Sequence, residues 1–403
     1  MAEIGNYIIY IIMICTVIGA IASIRDPETG LGKEFITGIY SIGPVFIPVA
    51  GIMASIPYLS SGINWLLGPL FVAIGSDPAI ASTAVIAVDM GGYQLSDTLA
   101  ASRESWIISV VVGYTSGATV VYLIPVGLAM LRKEHHKYLA LGAMAGFVSI
   151  PVGVLVTCLI TSLTNTPVRD VISTSSDPAY LLSMPAGFIL TQLMPLIIFC
   201  ISLALGLKLK PDFMISGFLW FGKVMDAGIK LVLAFSIVEY FTHFFSWAFN
   251  SWGFDPIIAD EKDLFRALEI AGYIGLMLAG TFPMVHLIKT YLKNPMQKMG
   301  KKMKMTSNGA TGFLMVFANI IATYRLVEEM SARDMVICIS FAVCAQAALG
   351  DHLAFTANFQ PTLIIPIMLG KLAGGVFAVA LALVISVPAA ERLENESQKT
   401  NSI

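Results

Sequence analysis

The chain is short of charge. Only 12% of its 403 residues are Asp, Glu, Lys or Arg, 57% are apolar, and the mean hydropathy is +0.80. A soluble domain carries about 25% charged and 45–50% apolar residues. So little charge cannot coat a globule of this length, which excludes a soluble enzyme and a disordered chain. A basic surplus is missing too: 24 Lys and Arg face 26 Asp and Glu, for a net charge of −2. No polyanionic partner is implied, and a nucleic-acid binder is excluded. There is no CxxC pair and no Cys/His cluster. Cys15, Cys158, Cys200, Cys338 and Cys344 all lie inside apolar runs and read as small core or lipid-facing residues. HExxH, GxSxG, a P-loop and a GxGxxG in strand–turn–helix context are absent, which disfavours an intramembrane hydrolase and ATP-driven transport by this chain alone. No cofactor and no metal are called for. The short alternating strands of a β-barrel are lacking as well.

What is there is a series of apolar runs long enough for a bilayer, which needs about 20 residues per helix. They cover 4–24, 35–60, 79–99, 105–131, 138–163, 179–207, 213–249, 265–292, 308–327, 335–350 and 361–387. The first run lacks a basic stretch before it and an A-x-A site after it, and reads as a retained helix. Polar connections fall at 25–34, 131–137, 164–178, 250–264 and 293–307, and a polar tail, expected to be irregular, begins at Glu391.

The chain repeats itself weakly at an offset of about 230 residues, as inverted-repeat transporters do. Phe35 falls opposite Phe265, Ala50-Gly51 opposite Ala279-Gly280, Asp89 opposite Asn319, and Arg103-Glu104 opposite Arg333-Asp334. LALGAMAG at 139–146 resembles IMLGKLAG at 367–374. Charge tests the inversion. If every run spans, basic loop residues show no bias. If 79–99 and 308–327 are re-entrant, one side collects Arg25, Lys33, Arg132, Lys133, Lys137, Lys208, Lys210, the Lys289–Lys304 cluster (Lys293 included), Arg325, Arg333, Arg392 and Lys399. The other side holds only Arg103, Arg169, Lys262 and Arg266. That is a strong positive-inside bias. It predicts two halves of opposite orientation: repeat 1 over 1–163, a connector with a membrane helix over 164–212, repeat 2 over 213–390, and a polar cytoplasmic tail over 391–403. The fold class is all-α polytopic, with two inverted repeats of about five segments each and re-entrant or broken helices.

Both proposed re-entrant runs contain residues that suit neither lipid nor a regular helix. The first holds Asp89, Gly91, Gly92, Tyr93 and Gln94; the second holds Asn319, Thr323 and Tyr324. Irregular backbone at membrane depth is tolerated only around protein or a cavity, so such breaks point to a site near the midplane. A carboxylate there costs at least about 2.5 kcal/mol and is by default a functional candidate. Asp89, between VIAV and a Gly-Gly break, is the sharpest case. Its alternative is a local helix cap. Asp351-His352, after Gly350, reads as a second broken helix with His352 orienting Asp351 or relaying a proton. Glu269 is either a site acid or an interfacial charge. Phe355 and Phe282 offer aromatic faces to a cation. Asp226 with Lys223 and Lys230 reads as a structural ion-pair set on one helix face.

VDMGGYQLSDTLA (88–100), KYLALGAMAGFVSIPVG (137–153), EIAGYIGLMLAGTFPM (269–284) and ALGDHLAFTANFQPTLIIPIMLGKLAGG (348–375) together resemble the EutH-type ethanolamine permeases, across almost the whole chain. That resemblance implies uptake of ethanolamine across the bacterial cytoplasmic membrane by a non-enzymatic, multi-pass protein. Asp89, Glu269, Asn319, Asp351 and His352 match family motif positions. The expected partners are ethanolamine and lipid, with a homodimer suggested by symmetry alone. Alternatives are a channel-like facilitator of small amines and, in a different class, a membrane sensor or enzyme.

Overall fold

The computed structural model describes residues 2–261 and 263–401. Lys262 lies outside them, as do the side chains of Lys293 and Lys399, all three used in the charge argument. Among the described residues, seven helices are long and apolar enough to cross a membrane: Ile4–Arg25, Gly30–Ala54, Arg103–Met130, Lys133–Leu163, Ala186–Leu209, Ala267–Leu292 and Pro361–Glu396. A pair bent by 55°, Ile56–Leu66 with Gly68–Ile74, is either one broken span, for a total of eight, or a re-entrant loop. The chain is therefore an all-α polytopic membrane protein. Large apolar side chains such as Trp65, Leu209, Phe241 and Val384 are exposed, as a lipid-facing surface requires.

Several expected runs differ in detail. Run 35–60 is cut into Gly30–Tyr40, Ile42–Ala54 and Ile56–Leu66, and the bent pair beyond it was not anticipated. Run 213–249 divides at His243, whose φ is 52°, into Pro211–Thr242 and Phe244–Phe249. The long piece carries the ion pair read from spacing: Lys230 Nζ donates to Asp226 Oδ2 at 2.7 Å. The polar end from Glu391 does not leave the helix, which runs Ile364–Asn401. Its acids have work to do: Glu391 accepts from Arg333 at 3.0 Å, and Glu394 accepts from the Ala332 N–H at 3.0 Å.

Runs 79–99 and 308–327 are each interrupted and folded back. Ala79–Val85 gives way at Ile86 to extended backbone, then to a short turn Val88–Met90, then to Gly92–Leu99. Gly91, at φ +96°, makes the reversal, a conformation open to glycine at little cost. Ser307–Val316 gives way to Ile320–Tyr324, and the Thr323 hydroxyl donates to the Gly312 carbonyl at 3.0 Å, closing that hairpin. A buried aspartate staples each hairpin's ends. Asp77 accepts from the N–H groups of Ala79 and Ala101, and Asp334 from Thr306.

Each hairpin leads into a span opened by a serine cap: Ser102 accepts from the Ser105 N–H, and Ser331 from the Asp334 N–H. Arg103–Val112 continues as two π-helical stretches, Gly113–Gly117 and Thr119–Leu123. Ala332–Ala345 instead breaks, restarting as Asp351–Phe359. Behind both, His136–Leu163 and Ile364–Asn401 pack through small residues. A Cβ on Gly153 would stand 3.1 Å from the Gly370 carbonyl oxygen and 3.4 Å from the Gly374 Cα. Small residues let helix backbones approach where lipid offers no hydrophobic drive.

Candidate functional site

Neighbouring protein groups serve several of the backbone polar groups at these breaks. In the first, Ser116 Oγ donates to the Ala84 carbonyl at 2.7 Å, and Gly117 lies so close that a Cβ would stand 2.2 Å from the Ile86 carbonyl oxygen. In the second, backbone serves backbone. The Ala347 N–H donates to Val316 O at 3.0 Å and the Leu349 N–H to Phe317 O at 2.8 Å. Ala347 holds φ +52°, a left-handed conformation that costs an alanine about 1–2 kcal/mol. Such strain persists only where its surroundings over-determine it, and it clusters at functional sites.

The breaks converge on one cavity of about 260 Å³. This is below the roughly 300–1,000 Å³ of pockets for drug-sized ligands, so it suits something small. Asp89 and Met90 reach it from the first hairpin, Asn319 and Ile320 from the second, and Gln346, Ala347, Asp351 and His352 from the broken span. Pro44 and Pro48 of Ile42–Ala54, Tyr122 of the π-helical stretch and Phe282 of Ala267–Lys302 complete the wall. Asn319 also caps its own helix through Oδ1, which accepts from the Ile321 N–H at 2.8 Å. The Gln346 amide is buried, and its Nε2 has no hydrogen-bond partner among the described residues.

Five of the residues named from sequence thus share one cavity: Asp89, Phe282, Asn319, Asp351 and His352. The others have different surroundings. Gly91 and Gly92 build the hairpin turn beside Asp89. Tyr93 and Phe355 are fully buried in an aromatic cluster with Trp106 and Phe359, and the Tyr93 hydroxyl accepts from Gln360 Nε2 at 3.0 Å. Gln94 is buried and faces neither carboxylate across the cavity; both its amide atoms lack partners among the described residues. Thr323 closes the second hairpin. Tyr324 donates to the Leu123 carbonyl at 2.9 Å, satisfying a backbone group at the end of the π-helical stretch. Glu269 does not reach the cavity. Its Oε2 accepts from the N–H groups of Ala259 and Arg266 at the start of Ala267–Lys302.

Lys371 escaped the sequence reading. It lies on Ile364–Asn401 with only 2% of its surface exposed. Its Nζ donates to the Tyr114 carbonyl at 2.7 Å and lies 2.8 Å from His352 Nδ1. The 2.8 Å contact joins Lys371 to the imidazole of a residue that itself lines the cavity. The Tyr114 ring stands edge-on to the imidazole at 5.1 Å, and Thr356 Oγ1 lies 2.6 Å from the Tyr114 hydroxyl. A single charge inside an apolar run was the available signal, the same one that marked Asp89.

Broken hairpins, a seam of close-packed helices and a small cavity faced by two carboxylates define a class: polytopic helical membrane proteins with discontinuous elements around an internal polar site. Within it, the chain belongs to the family described as ethanolamine utilisation protein, EutH, whose model matches residues 4–385. A protein of Listeria monocytogenes serotype 1/2a (strain 10403S) named "Probable ethanolamine permease EutH" is 34% identical over 386 residues, 94% of each chain. One of the same name from Escherichia coli (strain K12) is 33% identical over 362 residues, 88% of this chain and 86% of that one. "Uncharacterized protein YxeR" of Bacillus subtilis (strain 168) is 29% identical over 380 residues, 94% of each. No solved structure matches the chain.

Proposed function

We propose that this protein carries ethanolamine across the bacterial cytoplasmic membrane, with the cavity between the hairpins as its substrate site. The observation that carries this reading is the pair of carboxylates, Asp89 and Asp351, brought from separate broken segments to one small enclosure. At neutral pH ethanolamine is an ammonium joined to a hydroxyl. A carboxylate pair suits the ammonium through charge-assisted hydrogen bonds, and the rings of Tyr122 and Phe282 add favourable faces. The unpartnered Gln346 amide and the Asn319 amide suit the hydroxyl. Relatives named as ethanolamine permeases point the same way.

The movement we propose is alternating access between two inverted halves, 1–163 and 213–390, with 164–212 as connector and each hairpin entering from its own side. Uptake of labelled ethanolamine into proteoliposomes, with and without an imposed pH gradient, tests the reading. Saturable uptake with exchange of substrate across the membrane supports a carrier. Flux that equilibrates without saturating supports a channel-like facilitator. No flux and no binding would overturn ethanolamine as the substrate.

A further inference from the structure

Two carboxylates face the cavity, yet the expected substrate brings one positive charge. Two uncompensated anions facing each other in a small cavity inside the protein are costly, and one monovalent cation would leave one of them over. The charged groups around the site decide how the difference is met. Asp89 and Asp351 line one cavity with His352, and Lys371 Nζ stands 2.8 Å from Nδ1 of that histidine. The remaining groups that face this cluster are the Tyr114 and Tyr122 hydroxyls and the His352 ring. The site therefore holds two acids and one base, with other ion pairs such as Arg103–Asp97 standing apart.

We propose that Lys371 determines charge specificity: it stands behind the cavity wall, offsets one of the two carboxylates, and so limits the site to a single monovalent ammonium while rejecting a diamine dication. The proposal rests on the substrate site described above and deepens it. Its geometry is indirect. Among the described residues no carboxylate lies within ion-pairing distance of Lys371, and the His352 ring lies between the ammonium and the cavity. The lysine thus balances charge without filling the space a substrate needs.

Helix packing alone does not explain a lysine here. In the matched segments the position of Lys371 in GKLAG corresponds to Ala143 in GAMAG, and Ala143 is buried in the same seam from the other helix. A second role is separable: Lys371 donates to the Tyr114 carbonyl of the π-helical stretch. A neutral donor serves that role as well as an ammonium does. Only the charge argument requires a cation.

The test uses the purified full-length chain, with ethanolamine and 1,3-diaminopropane as competing ligands, read by ligand-induced thermal stabilisation and by competition for uptake in proteoliposomes. The wild-type protein is expected to prefer ethanolamine strongly. Lys371→Gln, which keeps the donor, and Lys371→Met, which does not, are both expected to move the preference about tenfold or more toward the diamine, and Lys371→Arg to leave it unchanged. Equal binding of diamine and ethanolamine by the wild-type protein would overturn the proposal with no variant needed. A Lys371→Gln protein that folds and retains the wild-type preference would overturn it too, and would leave the lysine a purely structural role. Absence of any ethanolamine binding or flux by the wild-type protein would instead remove the substrate reading itself.

Discussion

The two hairpins pose one problem, and the chain solves it in two ways. Each places extended backbone against the span that follows it. Beside the first hairpin the span stays wound, as π-helix, and side chains do the work, with Ser116 donating into the hairpin and Gly117 giving it room. Beside the second hairpin the span itself breaks, and its own amides at Ala347 and Leu349 supply the bonds. The first solution costs no backbone strain at the span. The second stores it, in an alanine at φ +52°. Both put a carboxylate beside the break, Asp89 on the hairpin in one case and Asp351 on the restarted span in the other. Similar architecture therefore does not mean equal stiffness: the first unit is the firmer, and the strained second unit is nearer to rearrangement.

The largest expected effects fall on the acids, and they test whether the two units are equal partners in binding. Asp89→Asn and Asp351→Asn are each expected to cost about 2 kcal/mol or more of substrate binding, since each removes a charge partner that faces the cavity. Uptake of labelled ethanolamine, normalised to expression, checks this; full activity in either variant would show that its unit does not hold substrate. Next come the close approaches. Gly117→Ala and Gly350→Ala put a Cβ 2.2 Å and 2.3 Å from carbonyl oxygens of Ile86 and Ala318, and overpacking of this kind costs about 1–3 kcal/mol. Thermal unfolding in detergent should show the larger loss for Gly117→Ala, in the firmer unit; the reverse order would undo the contrast. Ser116→Ala leaves the Ala84 carbonyl unpaired and should cost about 1–2 kcal/mol. The smallest effect has the opposite sign. Ala347→Gly relieves a left-handed alanine and should stabilise the fold by up to about 1 kcal/mol, with a measurable change in turnover.

Much of this arrangement was legible in the residues. Asp89 before a Gly-Gly pair and Gly350 before Asp351 announced breaks, because glycine and an acid inside apolar runs have few other uses. Asp89, Asn319, Asp351 and His352 do meet at one cavity. The aromatic residues were harder. Tyr93 and Phe355 sit close to Asp89 and Asp351 in sequence, but helical periodicity turns them into the core, and one chain alone gives no orientation for a short helix after a break. Glu269 carries the same letter as a site acid, and only the backbone around Ala259 reveals it as a cap. Lys371 hid in a segment whose glycines drew attention. Gln346 and Ala347 owe their place to the exact point at which a span stops, which propensity does not fix.

The two amides that join the broken span to the second hairpin have one more consequence. Ala347 and Leu349 donate to Val316 and Phe317, and any opening of the cavity along that line must part them. In heavy water each parting leaves a deuterium behind. These two positions would then keep a count of every excursion, faster with substrate present if the excursion belongs to turnover and slower if substrate holds the gate shut. A seam that looks like ordinary structural repair is, in those terms, the molecule's own record of how often it opens.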